Sequence, residues 1–291
     1  MNMKRVAGFL LVTLLLLLGP GSAAAQEKSE GMMGPPPVLV VFREVLKPGK
    51  MGMTHEKTES AFVQAFTRAK WPTHYFAVDS LSGKPRSLFF VGYESFAAWE
   101  KDNLATQKNA QLAAALDRAG VADGELLSES QGLVFAFSEK YSLRPSVDIA
   151  HMRYFEVEVF HVRPGHHHEW DEAVKLVKAA YEKIPDTHWA TFKSVYGGED
   201  ESYAIFTPLK SLAEVDKAFA QGKDFVSNMG EEGMKKLHEL EASAIASSGS
   251  ELFQFNPRMS YPPEAWVKAD PDFWKPKPAM APKKSEEKPK Q

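Results

Sequence analysis

Val45-Leu46-Lys47-Pro48-Gly49-Lys50 and His161-Val162-Arg163-Pro164-Gly165-His166 share one pattern: an apolar residue, a cation, Pro-Gly and a second basic group. In both places an apolar run enters the turn, Val38–Val45 in one and Tyr154–Val162 in the other. The match continues outward. Thr73-His74-Tyr75 corresponds to Thr187-His188-Trp189, and Ser80-Leu81-Ser82-Gly83 to Ser194-Val195-Tyr196-Gly197. Tyr93-Glu94-Ser95-Phe96 lies near Leu209-Lys210-Ser211-Leu212, and Leu133-Val134-Phe135-Ala136-Phe137 corresponds to Glu251-Leu252-Phe253-Gln254-Phe255. The order is constant and the offsets stay between 114 and 118 residues, the small drift that loop insertions produce. The chain therefore reads as an internal repeat, over 38–147 and 148–263.

Each copy has the same element order. The first strand and the Pro-Gly turn lead to a helix, near Thr54–Ala69 or His168–Lys183. In the second copy Trp170, Val174, Val177 and Tyr181 recur at helical spacing. Two strands follow, Thr73–Leu81 with Ser87–Tyr93, and His188–Tyr196 with Ser202–Thr207. Their connections, Ser82-Gly83-Lys84-Pro85 and Gly197-Gly198-Glu199-Asp200, are turn chemistry. A helical region comes next, Ser95–Arg118 or Ser211–Glu241, the latter expected to break near Gly222 and Gly230. A last strand closes each copy, Gly132–Phe137 or Glu251–Phe255. The order β-α-β-β-α-β is the ferredoxin-like split motif.

Several strands, such as Val38-Leu39-Val40-Val41-Phe42 and Leu88-Phe89-Phe90-Val91, are apolar on both faces. Helices cover one face of such a sheet, and the other would alternate polar if it met water. The simplest cover is the other copy's sheet. The expected fold class is α+β: two fused ferredoxin-like halves forming an intrachain pseudo-dimeric α/β barrel, helices outside.

The flanks are of another kind. Lys4 and Arg5 precede an apolar run, Val6–Leu18, then Gly19-Pro20-Gly21 and Ala23-Ala24-Ala25. Met1–Ala25 thus reads as a signal peptide, which implies export to a periplasm or beyond. Residues 26–37 read as a Gly/Pro-rich linker. Residues 264–291, rich in proline and lysine, read as a disordered tail whose Trp266 and Trp274 would pin its start to the body. After leader removal no stretch reaches the ~20 apolar residues of a spanning helix.

The chain has 291 residues, 44% hydrophobic and 25% charged, the balance of a globular protein. It has no cysteine, which excludes disulfides, thiolate metal sites and cysteine nucleophiles. A formal charge of −3 does not suit a nucleic-acid binder. Nucleotide loops, the G-x-S-x-G elbow, H-E-x-x-H and zinc-finger spacing are all missing.

Paired β-α-β-β-α-β units, with a Pro-Gly turn after each first strand and sheets buried against each other, resemble the dimeric α/β-barrel superfamily. That group includes NIPSNAP-type and antibiotic-biosynthesis-monooxygenase-type domains, and the haem-binding chlorite dismutase and haem-degrading relatives. The resemblance covers Val38–Pro262. It implies binding of a small hydrophobic or aromatic ligand, or cofactor-free or haem-dependent oxygenase chemistry. No family catalytic motif carries over, so enzyme and binding module both stay open, with haem as the cofactor the resemblance admits. It leaves open a monomer with an internal pseudo-dimer or a higher homo-oligomer.

Three groups carry candidate chemistry. His74 and His188 open equivalent strands and share a face with Phe76 and Val78, and with Ala190 and Phe192. A neutral imidazole there could act as a base, hold a ligand carbonyl or ligate haem iron. Glu156 and Glu158 stand where the first copy has Val40 and Phe42, on one side of a strand and ~7 Å apart. If that side is interior they need a shared proton, a cation, or Arg43 or Arg153. His166, His167 and His168, with Asp171 and Glu172 at i, i+4 from the last two, form a candidate for weak metal binding or simply a polar helix start. The first copy has Lys50, Met51 and Gly52 there, so the fold needs no histidines.

Overall fold

A computed structural model describes residues 34–275. The leader reading of Met1–Ala25 lies outside the described residues, as do 26–33 of the linker and 276–291 of the tail.

Apolar strands punctuated by Pro-Gly and Gly turns form eight strands: β1 (Val38–Leu46), β2 (Tyr75–Ser80), β3 (Arg86–Tyr93), β4 (Leu127–Phe137), β5 (Tyr154–Val162), β6 (Ala190–Tyr196), β7 (Ser202–Leu209) and β8 (Ile245–Phe255). All neighbouring pairs are antiparallel. They close into a barrel in the order β1-β3-β2-β8-β5-β7-β6-β4. Closure leaves no sheet edge to be guarded. β4 and β8 begin earlier than their apolar cores, because the polar segments Leu127–Gln131 and Ile245–Ser250 still pair with β1 and β5.

The helices are α1 (Met53–Ala69), α2 (Phe96–Lys108), α3 (Ala110–Gly124), α4 (His167–Tyr181) and α5 (Ala213–Ala244), then the short α6 (Glu264–Ala269) and α7 (Pro271–Trp274). The helical region expected from Ser95 to Arg118 consists of two helices, divided at Asn109, whose side chain accepts from the Leu112 amide at 3.1 Å and caps α3. α5 breaks at Gly230, where φ is 70°, while Gly222 stays helical. No helix among the described residues is long and apolar enough to cross a membrane.

The barrel interior is filled with aromatic rings. Phe90, 2% exposed, stacks on Phe76 at 4.8 Å and meets Phe155 at 5.1 Å and Phe206 at 5.4 Å. Each such pair adds about 0.5–1.5 kcal/mol beyond area burial. Leu39 and Val41 join this core, while Val38 and Val40 are buried outside it, which is why β1 is apolar throughout. Trp170, Tyr203, Val162 and Ala244 pack outside the barrel, where α4 and α5 cover β5 and β7.

Part of the expected tail belongs to the fold. Trp266 and Trp274 are buried in the main core, 5.2 Å apart, and the Trp274 indole donates to the Ala150 carbonyl at 2.8 Å. Arg153 pairs with Asp270 and lies 3.9 Å from the Phe273 ring centre. The disordered reading thus fails for 264–275, where buried aromatics outweigh the proline and lysine content.

Candidate functional site: a cavity at the barrel mouth

β1, β2, β5 and β6 begin, and β3 and β7 end, at one end of the barrel. There the aromatic filling gives way to a cavity of about 950 Å³. Its floor is Leu39, Phe76, Phe90, Phe155, Phe192 and Phe206. Its rim comes from segments after and before the strands: Pro35–Pro37, Pro145–Ile149, and Pro263 with Trp266. Two isolated bridges, Tyr75 with Tyr261 and Leu143 with Trp189, pin these segments to the barrel. Pro36 packs so closely on Gly92 that a side chain there would overlap it, at 2.8–2.9 Å.

His74 and His188 both line the cavity, together with Ala190 from β6. Their states differ. The two ring nitrogens of His188 face backbone carbonyls, Nδ1 to Asp186 at 3.1 Å and Nε2 to Pro208 at 2.9 Å. The imidazole of His74 lies 4.7 Å from the Tyr261 ring, and its Nδ1 is buried without a hydrogen-bond partner. Burial holds its pKa below the usual imidazole value, against a backbone hydrogen bond to Tyr261, so this ring is neutral at pH 7.

The polar side of the wall is built around Asp102 of α2. Its carboxylate accepts from the Trp71 indole at 3.0 Å, the Thr73 hydroxyl at 2.6 Å and the Tyr93 hydroxyl at 3.0 Å. Burial and Asp102 push the Tyr93 hydroxyl pKa up, so Tyr93 stays a phenol. This network fixes two aromatic walls of the cavity.

Glu156 and Glu158 lie away from the cavity. Phe155 and Val157 take the interior of the barrel, so strand alternation turns both carboxylates outward, toward the layer under α4. Glu158 accepts from Ser250 at 2.9 Å. Burial, then the charge of Glu158, raises the Glu156 pKa. Arg43 and Arg153, considered as their partners, are held by Glu129 and Asp270. The three histidines at the start of α4 also diverge. His166 meets Ser243 at 3.1 Å, His167 meets Glu201 at 2.8 Å, and His168 is exposed. Asp171 is taken by Lys140 and Tyr141.

Sequence reading passed over one cluster outside the barrel. Glu44, His55, Glu59 and Asp123 bring their donor atoms within 4.8 Å of one another. For His55, burial opposes the charge, but hydrogen bonds to Asp123 and Glu44 and nearby carboxylate charge win, pushing its pKa to about 10. Burial first, then neighbouring carboxylates, raises Glu59. The available signal was His55 and Glu59 at i, i+4 on a helix, opposite a glutamate ending an apolar strand.

No family model matches the chain, and no curated protein does. Solved structures do resemble it. A proposed monooxygenase of Fusobacterium nucleatum is 14% identical with a TM-score of 0.47, over 77% of this chain and 94% of that one. An anthrone oxidase-like protein is 13% identical with a TM-score of 0.47, over the same shares of 77% and 94%. A mutant chlorite dismutase of Candidatus Nitrospira defluvii, in complex with cyanide, is 11% identical with a TM-score of 0.44, over 80% and 95%.

Proposed function

We propose that the barrel mouth binds a small aromatic or hydrophobic molecule carrying a hydroxyl, and that His74 receives its hydrogen bond. The cavity carries this reading. Its volume of about 950 Å³ lies in the range of small-molecule sites, roughly 300–1,000 Å³, and its floor is apolar. A buried nitrogen without a partner costs on the order of 1–3 kcal/mol, which a ligand hydroxyl meeting it would recover. His188, with both nitrogens on backbone carbonyls, serves the fold. The reading includes two ferredoxin-like halves fused in tandem, supported by the parallel strand orders β4-β1-β3-β2 and β8-β5-β7-β6. One copy of the histidine would then have kept a ligand role and the other lost it.

The neutral state of His74 also favours a second reading. A neutral imidazole can take the proton of a bound phenol, the step that opens cofactor-free oxygenase chemistry. Haem iron would need an imidazole nitrogen free to hold it, and of the two histidines only His74 could offer one, because both nitrogens of His188 face backbone carbonyls.

Trp71, Trp189 and Trp266 line the cavity, so intrinsic fluorescence reports occupancy. Titration with 1-naphthol should quench it saturably, and more tightly than naphthalene. His74→Phe should abolish that preference while keeping naphthalene binding. Quenching that does not saturate, or a preference unchanged in His74→Phe, would refute the assignment.

A further inference from the structure

We infer that Glu44, His55, Glu59 and Asp123 bind one divalent first-row transition metal, in the layer between the barrel and helices α1 and α3. Glu44 is on β1 and points outward. His55 is in the first turn of α1, Glu59 one turn later on the same face, and Asp123 at the end of α3. Nε2 of His55 lies 3.2 Å from Glu44, 3.4 Å from Asp123 and 4.0 Å from Glu59. Ligand atoms around a tetrahedral zinc-sized ion, with bonds of about 2.0–2.1 Å, stand about 3.4 Å apart. The three distances from His55 lie close to that spacing, and with all four donors within 4.8 Å of one another the widest carboxylate separation closes by about 1.4 Å at most.

His55 is the one cationic side chain paired with these three carboxylates among the described residues. His55 is 1% exposed, Asp123 2% and Glu59 4%. Among the described residues no lysine or arginine pairs with the three carboxylates; the nearby Arg258 pairs with Glu56. Glu59, buried, accepts no hydrogen bond among the described residues, and its only charged partner there is His55 at 4.0 Å. The hydroxyl of Tyr75 is also buried without a partner, and the charges of Glu59 and Glu44 act on it. Three carboxylates thus share one imidazole, and buried carboxylate and phenol oxygens beyond its reach are costly unless a further positive charge sits among them.

The surroundings orient the imidazole as metal sites do. Ser87 lies 3.3 Å from Nδ1 of His55, and its own proton goes to Asp79, which Asn256 also holds at 2.7 Å. Ser87 is therefore an acceptor toward Nδ1–H, which leaves Nε2 to face the carboxylates. Thr58 likewise fixes Asp123 through its hydroxyl. Fixing the remote nitrogen and a ligating carboxylate in this way tunes a metal site.

The fold itself does not require these groups. Glu44 faces Ser87 across β1 and β3, and at the corresponding place Phe160 faces Tyr203 across β5 and β7. There Phe160, Tyr203 and Trp170 fill the layer with packed rings. Three carboxylates and one imidazole, without thiolate, suit Mn²⁺, Fe²⁺ or Zn²⁺.

The test uses the full chain with His166, His167 and His168 changed to alanine, which removes that histidine cluster from the background. After chelator treatment, calorimetry with Zn²⁺ and with Mn²⁺ should show one equivalent of at least one metal bound per chain, with a raised melting temperature. Glu59→Gln and Asp123→Asn should each weaken binding at least about tenfold while leaving the circular dichroism of the metal-free chain unchanged. If either variant fails to fold, the half-buried Glu44→Gln serves in its place. No stoichiometric binding of either metal, or affinity unchanged by these substitutions, would overturn the assignment.

Discussion

Trp274 tests whether the last helices are part of the core or an ornament on it. The side chain is 3% exposed, stands 5.2 Å from Trp266 and 6.2 Å from Phe255, and donates to Ala150 at 2.8 Å. A large aromatic buries about 150–250 Å². At about 25 cal/mol per Å² the upper end is worth about 6 kcal/mol, an upper bound because the unfolded chain is already partly collapsed. Measured truncations of buried tryptophan fall at about 3–5 kcal/mol, and we take about 4 for Trp274→Ala. With a urea slope of about 2.5 kcal/mol per M, the unfolding midpoint should fall by about 1.6 M. Trp274→Phe keeps most of the ring and loses the indole hydrogen bond, so about 2 kcal/mol and 0.8 M are expected. Phe219→Ala, at an 81% exposed residue, is the control and should leave the midpoint in place. A shift below about 0.4 M for Trp274→Ala would mean that α7 does not pack on the barrel, and the argument for residues 264–275 would fail with it.

Other consequences follow from single residues. The raised pKa of Glu156 means that its folded form binds a proton more readily than its unfolded form. Its charge therefore costs stability above the folded pKa, and below the unfolded value near 4.5 the cost vanishes. Glu156→Gln should raise the melting temperature at pH 7 and leave it unchanged at pH 3; an equal gain at both would contradict this. His74 has a lowered pKa, so its neutral burial contributes stability above the unfolded value near 6.5, lost as pH falls through the folded value. Thermal scans from pH 7 to 5 should show a smaller loss in His74→Gln than in the parent chain, and matching losses would count against a buried neutral imidazole. Gly197 has φ of 78° and lies against the Gly132 carbonyl of β4. Gly197→Ala should cost about 2–4 kcal/mol in urea unfolding through strain and backbone overlap, and a cost below 1 kcal/mol would refute the close approach.

Much of the architecture was legible because it rests on periodicity. Tyr154–Val162 matches the strand expected there, and α1 and α4 begin within a residue of where helical spacing starts. Strand ends were harder. Ser128–Gln131 and Ser247–Ser250 carry no apolar signal, yet they pair with β1 and β5 because the barrel supplies a neighbour for every backbone group. The tail was misread from 264 to 275 for a related reason: composition averages over prolines and lysines, whereas packing depends on three aromatics finding a core.

For the site, the sequence placed His74 and His188 on an apolar face, because alternation along a strand is local. It could not say that His188 would be bound at both nitrogens by carbonyls from residues 186 and 208, or that His74 would be left with one nitrogen free. It also could not bring together Glu44, His55, Glu59 and Asp123, which span 80 positions of sequence and meet only where α1 and α3 cross β1. Local order is written in hydrophobic period and turn residues, and these the chain declares by itself. Which polar atoms end up partnered, and which are left facing one another, depends on contacts between distant segments, and only the closed barrel decides it.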